Sequence, residues 1–191
     1  RNYRHELPEN KPKKWQNPNQ ELINRYKLYA KKLQEVKVLD PACGSGAFLI
    51  EVFNYLQNEW LELSQTLQKL GEEPEFGLFN YQNIYKSILQ NNIYGVDLNS
   101  ESVQITKLSL WLKTANSQDS LTSLDNNIKV GNSLIDDASI DAKAFKWEEE
   151  FSFKFDVVVG NPPYVRQELF SSIKPYLQQN YSVYAGMADL Y

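Results

Sequence analysis

Two short stretches combine residue types that can hold and activate a ligand. Asn161-Pro162-Pro163-Tyr164 follows the apolar run Val157-Val158-Val159. Its consecutive prolines remove two backbone donors and stiffen the loop, so the Asn161 side-chain oxygen and the nearby carbonyls point where a rigid backbone directs them. With the face of Tyr164 beside them, these acceptors suit a planar amino-bearing group, the oxygens taking its N–H donors while the tyrosine stacks on the ring. The competing reading is an ordinary proline turn. The second stretch, Asp40-Pro41-Ala42-Cys43-Gly44-Ser45-Gly46, follows the β-prone run Val36-Lys37-Val38-Leu39 and precedes a helical pattern. Its glycines allow backbone to approach a ligand at a helix N-terminus, and Asp97, closing a later strand, offers a carboxylate to ribose hydroxyls. Taken singly, Asp40-Pro41 reads as a strand-ending turn and Asp97 as a capping or solvated carboxylate. Their occurrence at consecutive strand ends favours the joint reading.

The elements that must position these loops alternate. Residues 1 to 16 lack apolar periodicity and read as a loop. Asn17 can then cap a helix with Pro18 at its first position, carrying Leu22, Tyr26, Tyr29, Ala30 and Leu33 at helical spacing. After the first strand, Phe48, Leu49, Val52, Phe53, Leu56, Trp60, Leu63 and Leu67 predict a long helix, and Gly71 to Gly77 an exposed loop. A helix over Tyr81 to Gln90 leads to a second strand, Ile93-Tyr94-Gly95-Val96. Asn99 or Ser100 caps the next helix, whose Val103, Ile105, Leu108, Leu110, Trp111 and Leu112 make it apolar around most of its circumference, as for a helix wedged against a sheet.

Ser117 to Asn127 is turn-rich, and Ile128-Lys129-Val130 is a third strand ending at Gly131-Asn132-Ser133. Asp136 to Glu150 reads as an acidic connector anchored by Phe145 and Trp147. Phe155 to Gly160 is the clearest strand of the four, because three consecutive valines imply burial on both faces. Ser171 to Gln179 suits a short helix. The fold class is α/β: a Rossmann-like, mainly parallel sheet flanked by helices, with both loops at the edge where such sheets bind ligands. Two departures disfavour a nicotinamide cofactor. The third small position of the dinucleotide fingerprint is Leu49, too bulky for that fingerprint's close helix-strand contact. The gap from Gly46 to Asp97 also far exceeds the roughly 20 residues usual for such sites.

The 191 residues, 42% of them hydrophobic, suffice for one globular unit with extensions. A formal charge of -4 is the opposite of the basic footprint of an autonomous nucleic-acid-binding domain, so any such partner is gripped locally or by other parts. One cysteine and one histidine allow neither a disulfide framework nor a Cys/His zinc site, so no metal is expected. That cysteine usage, the lack of an apolar run approaching the roughly 18 residues of a membrane span, and a polar start without a signal-peptide centre point to a cytoplasmic protein with no membrane partner.

The stretch from Asp40 to Gly46 resembles the S-adenosylmethionine motif of amino-group DNA methyltransferases, and Asn161-Pro162-Pro163-Tyr164 resembles their catalytic motif in its adenine-N6 form. Tyr94-Gly95-Val96-Asp97 and Val130-Gly131-Asn132-Ser133-Leu134 fall where that family's second and third motifs belong. Cofactor motif before catalytic motif is the gamma order. The strings Lys37 to Leu49 and Asn161 to Glu168 are similar to the methyltransferase region of type IIG restriction-modification enzymes.

The resemblance implies S-adenosylmethionine as cofactor. Asp40, Pro41, Ala42, Cys43, Gly44 and Gly46 would surround its methionine part, Asp97 would bind its ribose and Leu98 would pack on its adenine. Asn132 would contact the adenine's amino edge, where many relatives have aspartate, with Ser133 beside it in the same motif. Asn161, Pro162, Pro163 and Tyr164 would carry catalysis on an adenine flipped from double-stranded DNA. Residues 1–34 would then be an extension and lead-in helix, and 35–191 the N-terminal part of the catalytic domain. The later strands, a target-recognition domain and in some relatives a nuclease domain would lie elsewhere in a longer protein. Two alternatives stay open: methylation of a protein glutamine or an RNA base, and a cofactor-binding fragment without activity of its own. The oligomeric state is left open.

Overall fold

In the computed structural model, described for residues 19–72, 81–114, 123–163 and 171–184, four parallel strands form one sheet in the order β3-β2-β1-β4. The strands are β1 (Val38–Asp40), β2 (Ile93–Asp97), β3 (Ile128–Val130) and β4 (Val157–Val158). Register pairs Leu39 with Tyr94 and with Val158, and Asp97 with Val130. All four therefore point their carboxyl ends to the same edge.

The helices are α1 (Gln20–Glu35), α2 (Ala47–Lys69), α3 (Tyr81–Asn91), α4 (Ser100–Thr114), α5 (Trp147–Glu150) and α6 (Lys174–Asn180). The connection from β1 to β2 carries both α2 and α3, which accounts for the long gap between Gly46 and Asp97. Along α2, Leu49, Phe53, Leu56, Trp60, Leu63 and Leu67 are buried, alternating steps of four and three that keep one face on the core. No described helix is long and apolar enough to cross a membrane.

Period-two alternation divides the strands between two cores. Ile93 and Ile128 face the helices α1 to α4, whereas Leu39, Tyr94 and Val96 face an aromatic cluster with Phe145 and Phe151, against which Trp147, Phe153 and Phe155 pack. Edge-to-face contacts bind this cluster, for example Tyr94 to Phe151 at 5.6 Å between centroids. The acidic connector is thus anchored by its aromatics as expected.

The tight helix-strand contact that Leu49 seemed to forbid exists with the roles exchanged. A Cβ on Gly95 of β2 would lie 2.8 Å from Leu49 Cδ1, so the strand supplies the glycine and the helix the bulk.

Several expectations are corrected. The fourth strand, read as the clearest and buried on both faces, is two residues long and sits at the edge of the sheet, with Val157 43% and Val158 63% exposed. In α4, Ile105, Leu108 and Leu112 are more than half exposed, so the helix packs by one side only. The first helix begins at Gln20 with Asn19 at the cap position and without a side-chain cap bond; the expected cap, Asn17, and Pro18 lie outside the described residues. The buried positions of this helix are Ile23, Ala30 and Leu33; the last two are as expected, whereas Ile23 takes the place of Leu22, and Leu22 and Tyr29 are exposed.

Candidate active site

Each strand end delivers one predicted loop to the shared edge. β1 ends at Asp40, which is 1% exposed and accepts a hydrogen bond from the Ala42 N–H at 3.0 Å. Burial pushes its carboxyl pKa above the ordinary range, opposed by the Ala42 bond and reinforced by the nearby Asp97 charge. The chain then turns through Gly44 (φ 52) and Gly46 (φ 89), conformations that favour glycine. Cys43 contributes backbone and a weak thiol contact to the Gly44 carbonyl at 4.0 Å. Its N–H donates to the Val96 carbonyl at 3.0 Å, and its side chain is buried, the thiol pushed up to about 12 chiefly by burial. It is a packing residue, not a nucleophile.

β2 ends at Asp97, whose two carboxylate oxygens accept from the N–H groups of Gly44 (2.8 Å) and Asn99 (2.8 Å). The acidic residue therefore shapes the glycine turn itself, and each oxygen keeps a further lone pair for a ligand. Leu98 beside it is 51% exposed, an apolar side chain standing free next to a carboxylate.

After β3, Asn132 is held at both polar atoms: Oδ1 accepts from Leu134 N–H at 3.1 Å and Nδ2 donates to Asp141 at 2.7 Å. These partners fix the orientation of the amide and leave one acceptor pair and one N–H. The bond from Asn132 holds the Asp141 carboxyl below the usual carboxylate range. Ser133 Oγ donates to the Pro41 carbonyl, joining the third loop to the first.

β4 leads through Val159, whose N–H donates to the Leu39 carbonyl at 2.8 Å, to Gly160 and then to exposed Asn161, half-buried Pro162 and exposed Pro163. A Cβ on Gly160 would meet Asp40 Oδ1 at 2.8 Å, so the proline loop rests against the carboxylate that ends β1. Tyr164 lies outside the described residues.

All described members of the predicted set thus meet at one edge, tied pairwise: Gly44 to Asp97, Ser133 to Pro41, Gly160 to Asp40. Three further residues belong to the same assembly without having been singled out. Thr106 of α4 donates to the Gly44 carbonyl at 2.8 Å, Asp141 holds Asn132, and Lys143 donates to the Leu98 carbonyl at 2.9 Å. Thr106 sits in an unremarkable helical pattern, and the other two in what reads as a connector. An apolar groove of about 700 Å³ runs between α1, α2 and β4, lined by Val38, Phe48, Val52, Leu56 and Val157 among others, but by none of the described site residues.

The arrangement suits a nucleoside joined to an amino-acid-like group. A Cβ at Gly44 would meet nothing within 4 Å, which leaves open space over the turn, while Asp97 supplies acceptors and Leu98 an apolar surface. A parallel α/β sheet whose glycine turn, acidic strand end and Asn-Pro-Pro loop converge at its carboxyl edge defines a Rossmann-like methyltransferase fold. Residues 91–191 match the model of the Eco57I restriction-modification methylase family, and the chain belongs to that family.

Among its relatives, it is similar to the type II restriction enzyme and methyltransferase RM.Eco57I of Escherichia coli, with 31% identity over 77% of this chain and 17% of the relative. The type II methyltransferase M.BstVI of Geobacillus stearothermophilus shares 33% identity over 84% of the chain and 25% of its own length. The adenine-specific methyltransferase PglX of Streptomyces coelicolor shares 28% over 69% and 12%. The chain thus spans a quarter or less of the length of these relatives.

Proposed function

We propose that the chain is the cofactor-binding and catalytic part of an S-adenosylmethionine-dependent DNA methyltransferase that modifies adenine at N6. The observation that carries the reading is the seating of Gly160, the residue before Asn161, against Asp40 at the start of the glycine turn, so that acceptors for an amino group would lie beside the proposed nucleoside site. The names of the relatives support a restriction-modification setting. Double-stranded DNA would be the substrate, its target adenine flipped out, with a target-recognition domain and, as in combined restriction and modification enzymes, a nuclease domain elsewhere in the longer protein.

S-adenosylmethionine, bound over the Asp40 to Gly46 turn with Asp97 at its ribose and Leu98 and Asn132 at its adenine, would supply an electrophilic methyl group. The chain's own part lies with Asn161 and Pro162. An exocyclic adenine amine is a poor nucleophile because its lone pair is delocalised into the ring. When the Asn161 side-chain oxygen and the Pro162 carbonyl accept its two N–H bonds, the nitrogen is drawn toward a tetrahedral shape and its lone pair is localised. These fixed dipoles stabilise the positive charge that develops on the nitrogen. The two prolines hold them in place without reorganisation. An amide cannot take up a proton, so the proton shed by the amine passes to water. Unstacking the base costs a few kcal/mol, which stacking on Tyr164 would partly offset.

The test is Asn161→Ala in the intact protein. Methyl transfer to DNA should vanish while S-adenosylmethionine still binds, and turnover with N6-methyladenine in the digest should accompany the parent only. Retained turnover in the variant, or a parent product lacking N6-methyladenine, would refute the assignment.

A further inference from the structure

We infer that Thr106 is a positioning residue for the glycine turn, fixing through its hydroxyl and its methyl group the backbone on which S-adenosylmethionine would rest; the inference builds on the assignment of that turn as the cofactor site. Thr106 lies in the middle of α4 and is fully buried. A threonine inside a helix ordinarily bonds a carbonyl of its own preceding turn. This one instead donates to the Gly44 carbonyl, 62 residues distant, at 2.8 Å. Only the hydroxyl can be the donor, since the carbonyl has no hydrogen to give.

The same side chain also sets a shape. A Cβ on Gly46 would lie 2.8 Å from Thr106 Cγ2 and 3.0 Å from its Oγ1, so the turn closes directly onto the threonine. Gly44 is then held from both sides, its N–H by Asp97 and its carbonyl by Thr106. These bonds belong to the two peptide planes that flank the Gly44 Cα, and together they lock its φ of 52°. With the Gly44 carbonyl turned toward α4, the trans peptide aims the Ser45 N–H the opposite way, as a donor to whatever the turn holds. α4 thus orients a binding loop with which it shares no sequence neighbourhood.

The experiment uses the intact protein and the isosteric Thr106→Val, which keeps the shape and removes the hydroxyl, beside Thr106→Ser, which keeps the hydroxyl. Calorimetry reads the affinity for S-adenosylhomocysteine, kinetics read KM and kcat separately, and thermal unfolding without ligand reads the fold. Thr106→Val should weaken binding and raise KM about tenfold, the order expected when a carbonyl loses its partner, with kcat within about twofold. The thermal midpoint should fall by no more than the few degrees that one unpaired carbonyl costs, and Thr106→Ser should restore affinity to within about threefold. Parental affinity in Thr106→Val, or kcat and the midpoint falling together while KM holds, would overturn the inference. A parent that binds no S-adenosylhomocysteine would sink the cofactor assignment beneath it, an outcome told apart because it appears before any variant is compared.

Discussion

Gly160→Ala tests the joint between the two loops. The new Cβ would stand 2.8 Å from Asp40 Oδ1 and 3.3 Å from its Cγ, contacts that cannot persist unless something shifts. Asp40 has little freedom to yield, being 1% exposed, at a strand end and bonded to Ala42. The glycine φ of 154° adds backbone strain for any L side chain. Overpacking of about 1 to 3 kcal/mol and strain of similar size give a loss of about 2 to 6 kcal/mol, unless the loop moves.

If it moves, Asn161 moves with it, and a displacement near 1 Å lowers turnover about a hundredfold. Urea denaturation and methyl-transfer kinetics on the same preparation distinguish the two routes. A double-mutant cycle with Asp40→Ala isolates the clash, because removing the carboxylate should return about 1 to 3 kcal/mol to the Gly160→Ala background. Parental stability together with parental turnover in Gly160→Ala, or a double variant that is merely additive, would refute the contact.

Two further outcomes follow from single residues. Burial raises the Asp40 pKa, so the folded state holds that proton more tightly than the unfolded chain; the stability this confers is complete below the ordinary carboxylate value of about 3.9 and is lost as pH rises through the raised value. Asp40→Asn, which keeps an acceptor for Ala42, should therefore gain on the parent in urea midpoint from pH 4 toward pH 7, and a flat or shrinking difference would contradict it. Asn127 is buried and its Nδ2 reaches the carbonyls of Leu89, Gln90 and Ile93 at 3.0 to 3.1 Å. Asn127→Ala should cost about 1 to 3 kcal/mol in urea unfolding by leaving these groups unpaired, and a cost below about 0.5 kcal/mol would show that water replaces it.

What was legible in the sequence is local, and what was not is relational. Asp40, Asp97 and Asn132 each end a short β-prone run, so a strand-by-strand reading brings them to one edge, and parallel topology does the rest. Three consecutive valines cannot tell burial on both faces from an edge position, because Val157 and Val158 owe their exposure to the absence of a described strand beyond β4. In α1, Tyr26, Ala30 and Leu33 face the core as read, but Leu22 gives way to Ile23 for a similar reason: the two are equally apolar, and only the docking against α2 and α3 selects between them. The glycine that Leu49 needs is on β2, far along the chain from the turn where a fingerprint looks for it. Thr106 and Asp141 act on partners in other elements, and nothing in their own neighbourhoods marks them.

The ties among the loops also bear on how the site would work. Asp97 accepts from Gly44, Ser133 donates to Pro41, and Asp40 backs Gly160, so the edge is tied together by the chain's own groups. Loops tied in this way would need little binding energy for their ordering, which leaves that energy for holding reactants in line. Asp40 occupies the position where this matters most. Its flanking backbone begins the glycine turn, and its carboxylate supports the residue before Asn161, so a shift in one loop reaches the other through a single buried side chain. A carboxylate kept there against its desolvation cost, where an apolar residue would pack more cheaply, is explained by that shared support: it holds the Ala42 N–H on one side and the close approach of Gly160 on the other.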